Sequence, residues 1–412
     1  MTPIITSLLD NDLYKYSMAQ FVLFGRFAGV HFQEVEVEYT FINRGKTQFP
    51  PGFAAALQEQ IAHMATLRHA DSELQYLDSL RHIKPAFVDF LGGFYWNPEF
   101  ITITDKPNFG VTVRGPWYKT IFYEVPILAL ISELYYQLTG QIIGDWSAVR
   151  KTAREKGRRL AEAGCDYADF GTRRRRSHAV QKEVVPALRE GSRSVVRNAA
   201  AGESLGKMVG TSNLLFAMLN DLATIGTHAH ELFQAMAAMF GYRQANRFTL
   251  EAWAEEYDGD LGIALSDTFT SDVFFHDFRR DMAKLWDGVR HDSGDPFVFA
   301  QKTIDHYKSL GIDPLSKTIV FSDSLDVDKA IELQKWCEGK IKCSVVIAPS
   351  VKCAFGIGTH FTNDVGAIPL NIVMKMTRCN GVPTVKLSDA VGKNTGEPDA
   401  IESCKFQLGL DI

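Results

Sequence analysis

Hydrophobic and polar residues alternate strictly from Val35 to Phe41, which predicts a strand with one buried and one solvated face. Before it, Leu13, Tyr16, Met18, Phe21 and Val22 recur at helical spacing behind an acidic start, so Asp12 to about Leu23 reads as a helix. A helical stretch from about Gly52 to Leu80, alternating runs near Phe100 to Val113, and an apolar helix from about Val125 to Tyr136 complete a mixed α/β region. From about Asp145 the pattern becomes a repeated strand, short polar turn and helix. Strand ends fall at Phe170, Val209, Ile225, Leu265, Val289, Phe321 and Ile357. Such a series builds a parallel sheet, either a barrel or a doubly wound sheet, and about seven strands fit the barrel better. From Ala367 the period returns to that of strands, in Asn371 to Met376 and Val382 to Leu387. The expected organisation is an N-terminal α/β domain (1–144) that the C-terminal segment (366–412) rejoins, and a barrel domain (145–365).

With 412 residues, 46% of them hydrophobic, the chain can bury a large core. Its formal charge of −5 gives no general pull toward nucleic acid or an anionic membrane, so any anion site must be local. The longest apolar run, Val125 to Ile131, is too short to span a bilayer, and the N-terminus reaches acidic residues before an apolar signal core forms. Cys165, Cys337, Cys343, Cys353, Cys379 and Cys404 form no Cys-x-x-Cys pair, and none keeps metal-ligand spacing with a His. A reducing cytoplasm fits that usage.

Gly-Thr follows four of these apolar runs, after Phe170, Val209, Ile225 and Ile357. A strand that turns through Gly-Thr into a helix offers backbone N–H groups, a hydroxyl and a positive helix terminus to an anion. Beyond the first copy stand Arg173 to Arg176. Such a run is either a solvated helix face or a nuclear-type address, or, at a barrel mouth, a set of guanidinium forks for phosphate or carboxylate, with Arg173 nearest the turn. Beyond the third copy come His228 and His230, which read as packing residues, as a metal pair lacking a third ligand, or as a nucleophile or proton donor. Asp267, Asp292 and Asp323 follow later strand ends. Each alone suits a helix N-cap, whereas a ring of them suits sugar hydroxyls or a water-mediated Mg²⁺. The last copy, Gly356-Ile357-Gly358-Thr359, falls where barrel phosphate sites often lie. The inventory fits a phosphorylated sugar carrying a pyrophosphate.

Taken in order, the motifs resemble one family. DFGTRRRRS at Asp169 to Ser177, GTSN at Gly210 to Asn213, GTHAHE at Gly226 to Glu231, VRHDSGDP at Val289 to Pro296, FSDSLD at Phe321 to Asp326 and FGIGT at Phe355 to Thr359 look like nicotinate phosphoribosyltransferases. LLDNDLYKYSMAQ at Leu8 to Gln20, RGPW at Arg114 to Trp117, PLNIVMK from Pro369 and KLSD from Lys386 are similar to the same family. The resemblance implies a type II phosphoribosyltransferase, an irregular α/β barrel packed on an N-terminal α/β domain, working in the cytoplasm as a homodimer with interfacial active sites.

It further implies that nicotinate and 5-phosphoribosyl 1-diphosphate give nicotinate mononucleotide and pyrophosphate with Mg²⁺, in NAD biosynthesis from salvaged nicotinate. ATP hydrolysis is coupled through a phosphohistidine, which maps to His230 and not to His228. By the same matching, Phe170 and a partner subunit's copy of Tyr14 sandwich the pyridine ring, and Arg173 and Arg290 meet anionic groups. Asp267 and Asp292 order the ribose and magnesium without binding the metal directly, while Asp323, Gly356, Gly358 and Thr359 cradle the 5′-phosphate. Thr172 joins the substrate-binding set, and Ser212, where nicotinamide-using relatives carry an Asp, favours the acid. Two residues depart from the family pattern: Arg176, read as an extra solvated charge, and Leu232, in place of a Trp behind the His. Competing readings are a nicotinamide-preferring enzyme, a non-catalytic sensor, and a sugar-phosphate aldolase, for which no Schiff-base Lys stands at a strand end.

Overall fold

A computed structural model describes residues 1–198, 205–341, 354–390 and 393–410; Cys343 and Cys353 lie outside these. Seven strands run in the spatial order Ala223–Thr224, Met208–Thr211, Asp166–Asp169, Ala354–Ile357, Thr318–Phe321, Gly288–His291 and Ile263–Leu265. Every neighbouring pair is parallel. That is the cyclic order of a barrel with one seam left unpaired, between Ala223–Thr224 and Ile263–Leu265. The sheet therefore curls into a half-barrel and, among the described residues, does not close by backbone hydrogen bonds.

What fills the seam is the N-terminal helix Leu13–Phe24. Ser17 Oγ donates to Thr227 O (2.6 Å), the Ala229 N–H points at Met18 Sδ (3.3 Å), and Thr227 Oγ1 reaches across to Ile263 O (3.2 Å). Because it plugs a gap, this helix is covered on most sides, and Lys15, Ser17 and Gln20 are fully buried beside its apolar residues.

The second sheet is five-stranded and antiparallel, in the order Val382–Pro383, Ile372–Cys379, Glu36–Asn43, Gly110–Pro116, Ile101–Thr104. The C-terminal strand Ile372–Cys379 pairs directly with Glu36–Asn43, so the chain does return to its N-terminal part. In Glu36–Asn43 the even positions from Glu36 to Thr40 are wetter than their neighbours, as the alternation required.

Three expectations are corrected. The stretch from Gly52 to Leu80 is two helices, Phe53–Met64 and Asp71–Asp78, because Glu73 turns back to accept from Ala70 N (3.0 Å) and starts a new one. Two strands outlast their apolar pattern, ending at Thr211 and His291 and not at Val209 and Val289; both terminal residues are polar yet buried, so hydropathy hid them. The arginine run is no solvated face at its far end. Arg176 is buried, its guanidinium 3.9 Å from the Tyr136 ring centroid and donating to Gln141 O.

Arg175 is buried more completely. Its two terminal nitrogens meet Asp10 Oδ1 and Oδ2 at 2.7 and 2.6 Å, with both side chains shut off from water. Asn213 Nδ2 donates to the same Asp10 at 2.8 Å. Burial alone would raise the Asp10 carboxyl, but Arg175 holds it below its ordinary value. Cys165, Cys337, Cys379 and Cys404 are buried and unpaired, and among the described residues no helix is long and apolar enough to cross a membrane. Arg175→Met strands the Asp10 charge, so urea unfolding should show a loss of about 3–5 kcal/mol; a loss under about 1 kcal/mol would contradict this role.

Candidate active site

The strand ends of the half-barrel open on a cavity of about 520 Å³. Tyr14, Phe170, Arg173, Ser212, His230, Arg290, Asp292, Asp323, Gly356, Gly358 and Thr359 line it; Thr172 and Asp267 do not. Tyr14 reaches it from the same chain as Phe170. The helix Leu13–Phe24 carries this chain's own Tyr14 there, where the expectation placed a partner subunit's copy.

Asp267 is absent from the wall because its oxygens are already committed. It accepts from Ser293 Oγ (2.6 Å) and Lys386 Nζ (3.1 Å) and pairs with His230 Nε2 (2.7 Å). Against burial, the His230 and Lys386 contacts hold Asp267 well below the usual carboxylate range. Burial, reinforced by Lys386, pushes His230 down to about 4, so near neutral pH its ring is uncharged. With Nε2 bearing the proton that Asp267 accepts, Nδ1 keeps its lone pair, which makes His230 a nucleophile of fixed tautomer.

Ligand atoms of His230, Asp267 and Asp292 lie within 4.8 Å of one another. The Lys386 ammonium on Asp267 makes direct metal ligation there unfavourable. Asp292 suits a metal-organising role better: its side chain is 29% exposed to the cavity and is steadied by Ser322 Oγ at 2.8 Å. Arg290 and His230 hold it below its ordinary value despite burial.

At the acceptor end, Ser212 Oγ donates to Asp12 Oδ1 (2.9 Å), and Asp12, raised by burial, also faces the cavity. Thr172 is wholly buried, hydrogen-bonded to Asp12 and within 3.3 Å of Gln181 Nε2 and Asn213 Nδ2, so it braces Asp12 from behind. Gly356 has a steric reason here. A Cβ on it would overlap the Phe170 ring, so the missing side chain makes room for the aromatic face.

The Gly-Thr recurrence is not one device. Gly210-Thr211 lies inside a strand, Gly171 leads into the 3₁₀ turn Thr172–Arg174, and the helix after Gly226-Thr227 starts only at His230. Gly358-Thr359 alone opens directly into a helix, the single turn Thr359–Thr362, whose His360 carbonyl accepts from Lys156. His228 borders the cavity but is fully buried among Phe233, Trp253 and Trp286, and burial pushes it well below its ordinary value. Leu232, the other departure, is likewise fully buried. The helix caps fall to Asp295 and Asp326, which leaves Asp292 and Asp323 available to a ligand.

Sequence reading passed over Asp12, Lys15, Glu124, Glu231, Lys375 and Lys386. Lys15 bridges Glu124 and Glu231 behind the wall, while Lys375, brought down to about 8 by burial and neighbouring Lys386, lines it. All but Glu124 lie within the quoted motifs, which marked the segments but not the roles of these side chains; Glu124 merely precedes an apolar helix.

The sequence profile of the nicotinate phosphoribosyltransferase (NAPRTase) family matches residues 165–410, and that of its N-terminal domain matches residues 9–132. A nicotinate phosphoribosyltransferase from Chromohalobacter salexigens is 42% identical over 98% of this chain and 99% of its own length. One from Methanosarcina acetivorans is 39% identical, covering 98% of each. The crystal structure of nicotinate phosphoribosyltransferase from Porphyromonas gingivalis superposes with a TM-score of 0.88 at 39% identity, over 99% of this chain and 100% of that one. That from Vibrio cholerae gives 0.88 at 34% identity, over 100% and 95%.

An imidazole NMR titration should find His230 neutral through pH 6 and protonating only near about 4. Lys386→Met removes a cation that opposes protonation, so the midpoint should move upward; an ordinary midpoint in the native protein, or a downward move in the variant, would contradict this reading.

Proposed function

The chain belongs to the nicotinate phosphoribosyltransferase family, and from that premise we propose that it joins nicotinate to 5-phosphoribosyl 1-diphosphate, forming nicotinate mononucleotide and pyrophosphate. The observation that carries this reading is the shared cavity. Aromatic and cationic groups (Phe170, Tyr14, Arg173) line the same space as the strand-end groups Arg290, Asp292, Asp323, Gly358 and Thr359.

The bond formed runs from the pyridine nitrogen to the anomeric carbon, and the bond broken releases diphosphate with its electron pair. The ring nitrogen is already a nucleophile, so no strong base is needed. Phe170 and Tyr14 offer faces to the ring, and Arg173 takes the nicotinate carboxylate. Arg290 and Lys375 meet the negative charge that grows on the departing diphosphate, in a site where fixed charges cost no reorganisation. Asp323, Gly358 and Thr359 take the 5′-phosphate. Mg²⁺ bound to the diphosphate would be organised by Asp292 and would supply further charge stabilisation.

ATP use follows from His230. The neutral Nδ1 attacks the γ-phosphorus, the bond to the bridging oxygen breaks, and ADP departs with that electron pair. Asp267 stabilises the phosphorylated ring through Nε2–H, and water later returns it as phosphate. The product is a pyridine nucleotide suited to NAD biosynthesis from salvaged nicotinate.

The test is pyrophosphate release with nicotinate, with and without ATP. His230→Ala should keep slow transfer and lose all response to ATP; ATP turnover that stays fully coupled in that variant would sink the phosphohistidine. Ser212→Asp adds a second carboxylate beside Asp12, so KM for nicotinate should rise by about tenfold or more while nicotinamide is less affected. Equal effects on both would remove Ser212 as a discriminator.

A further inference from the structure

Lys15 lies behind the cavity wall, fully buried on the helix Leu13–Phe24. Its ammonium stands 2.7 Å from Glu124 Oε2 and 2.7 Å from Glu231 Oε1. These carboxylates serve different ends of the site. Glu124 opens the helix Glu124–Leu138 and also lies 3.3 Å from Arg173 Nη1 and 3.3 Å from the Tyr14 hydroxyl, both acceptor-side groups. Glu231 directly follows His230 in the first turn of the helix His230–Phe240. A continuous chain of charge, Arg173 to Glu124 to Lys15 to Glu231, thus joins the nicotinate end of the cavity to the nucleophilic histidine.

Its charges sum to zero, and the Lys15, Glu124 and Glu231 side chains are at most 9% exposed. A buried ion set of this kind is a poor stabiliser, since apolar groups of the same volume often do as well. It is, however, sensitive to added charge. A phosphoryl group on His230 brings about −1.5 to −2 charges next to Glu231, where solvent screens little. The ammonium shared by two carboxylates is the group able to redistribute. Drawn toward Glu231, it loosens its hold on Glu124, whose remaining partners are Arg173 and Tyr14.

We propose that Lys15 is a positioning residue that carries the phosphorylation state of His230 to the nicotinate subsite; this rests on the phosphohistidine reading above. Two variants test it. Lys15→Met with Glu231→Gln removes one charge of each sign and leaves Glu124 with Arg173, while Glu231→Gln alone leaves Lys15 with Glu124, so a double variant that fails to fold does not block the test. Labelling from ATP carrying a marked γ-phosphate, thermal unfolding, and KM for each substrate with and without ATP are measured.

In the native enzyme ATP should lower KM for nicotinate by about fivefold or more. Both variants should still take acid-labile label, keep the ATP effect on the diphosphate substrate, and lose it for nicotinate. Retention of the full effect on nicotinate, or its equal loss for both substrates as a merely structural role would give, overturns the proposal. Label in the native enzyme without any effect on nicotinate KM also overturns it, whereas absence of label in the native enzyme overturns the phosphohistidine reading itself and this inference with it.

Discussion

The structure depends on one antiparallel contact, between the N-terminal segment around Asp12 and the end of the strand Met208–Thr211. Asp12 bridges Asn213, Leu13 N donates to Ser212 O (2.8 Å), Leu214 N to Asn11 O (2.9 Å) and Leu215 N to Leu9 O (3.0 Å). This short ladder fixes the register of Asp10, Asp12, Tyr14 and Lys15 against the barrel. Shifting it by one residue would turn Asp10 and Asp12 to the opposite face and displace the helix that carries Tyr14 and Lys15. With it in place, Asp10 clamps Arg175, Asp12 meets Ser212, Tyr14 enters the cavity and Lys15 reaches Glu124 and Glu231. The half-barrel is left open at one seam, and the same segment, continuing as the helix Leu13–Phe24, fills it.

The electrostatic design follows from that packing. So many ionisable groups at low exposure are tolerable only because nearly every one is paired, Asp10 with Arg175, Asp267 with Lys386 and His230, Glu124 with Lys15 and Arg173. Burial then determines chemistry. It keeps His230 neutral and nucleophilic, and it keeps His228, two residues away, neutral among aromatic rings. The difference is a partner: Asp267 faces one imidazole, and aromatic rings face the other.

Element order and type were legible in the sequence wherever hydropathy period was clean, as in Val35–Phe41 and the apolar helix that proves to be Glu124–Leu138. Boundaries slipped where buried polar residues end a strand, at Thr211 and His291, because burial there is set by tertiary packing. The cavity wall was legible through the strand-end motifs. Its supports were not: Asp267, Thr172 and Lys15 face other side chains, and no local pattern distinguishes a residue that touches a ligand from one that holds its neighbour. Two glycines show the same limit: Gly356 is required by the Phe170 ring and Gly171 by Thr362, each far in sequence from the group that excludes its side chain.

Tyr14 and Phe170 of one chain line the same cavity. Complementation between impaired variants tests directly whether each chain completes its own site. Tyr14→Ala and His230→Ala chains, co-expressed in equal amounts and assayed for pyrophosphate release with ATP, should show no more activity than the two separately. If a neighbouring subunit supplied Tyr14, mixed dimers would regain intact sites and activity would recover toward about one quarter of native; that recovery would contradict a site built within one chain.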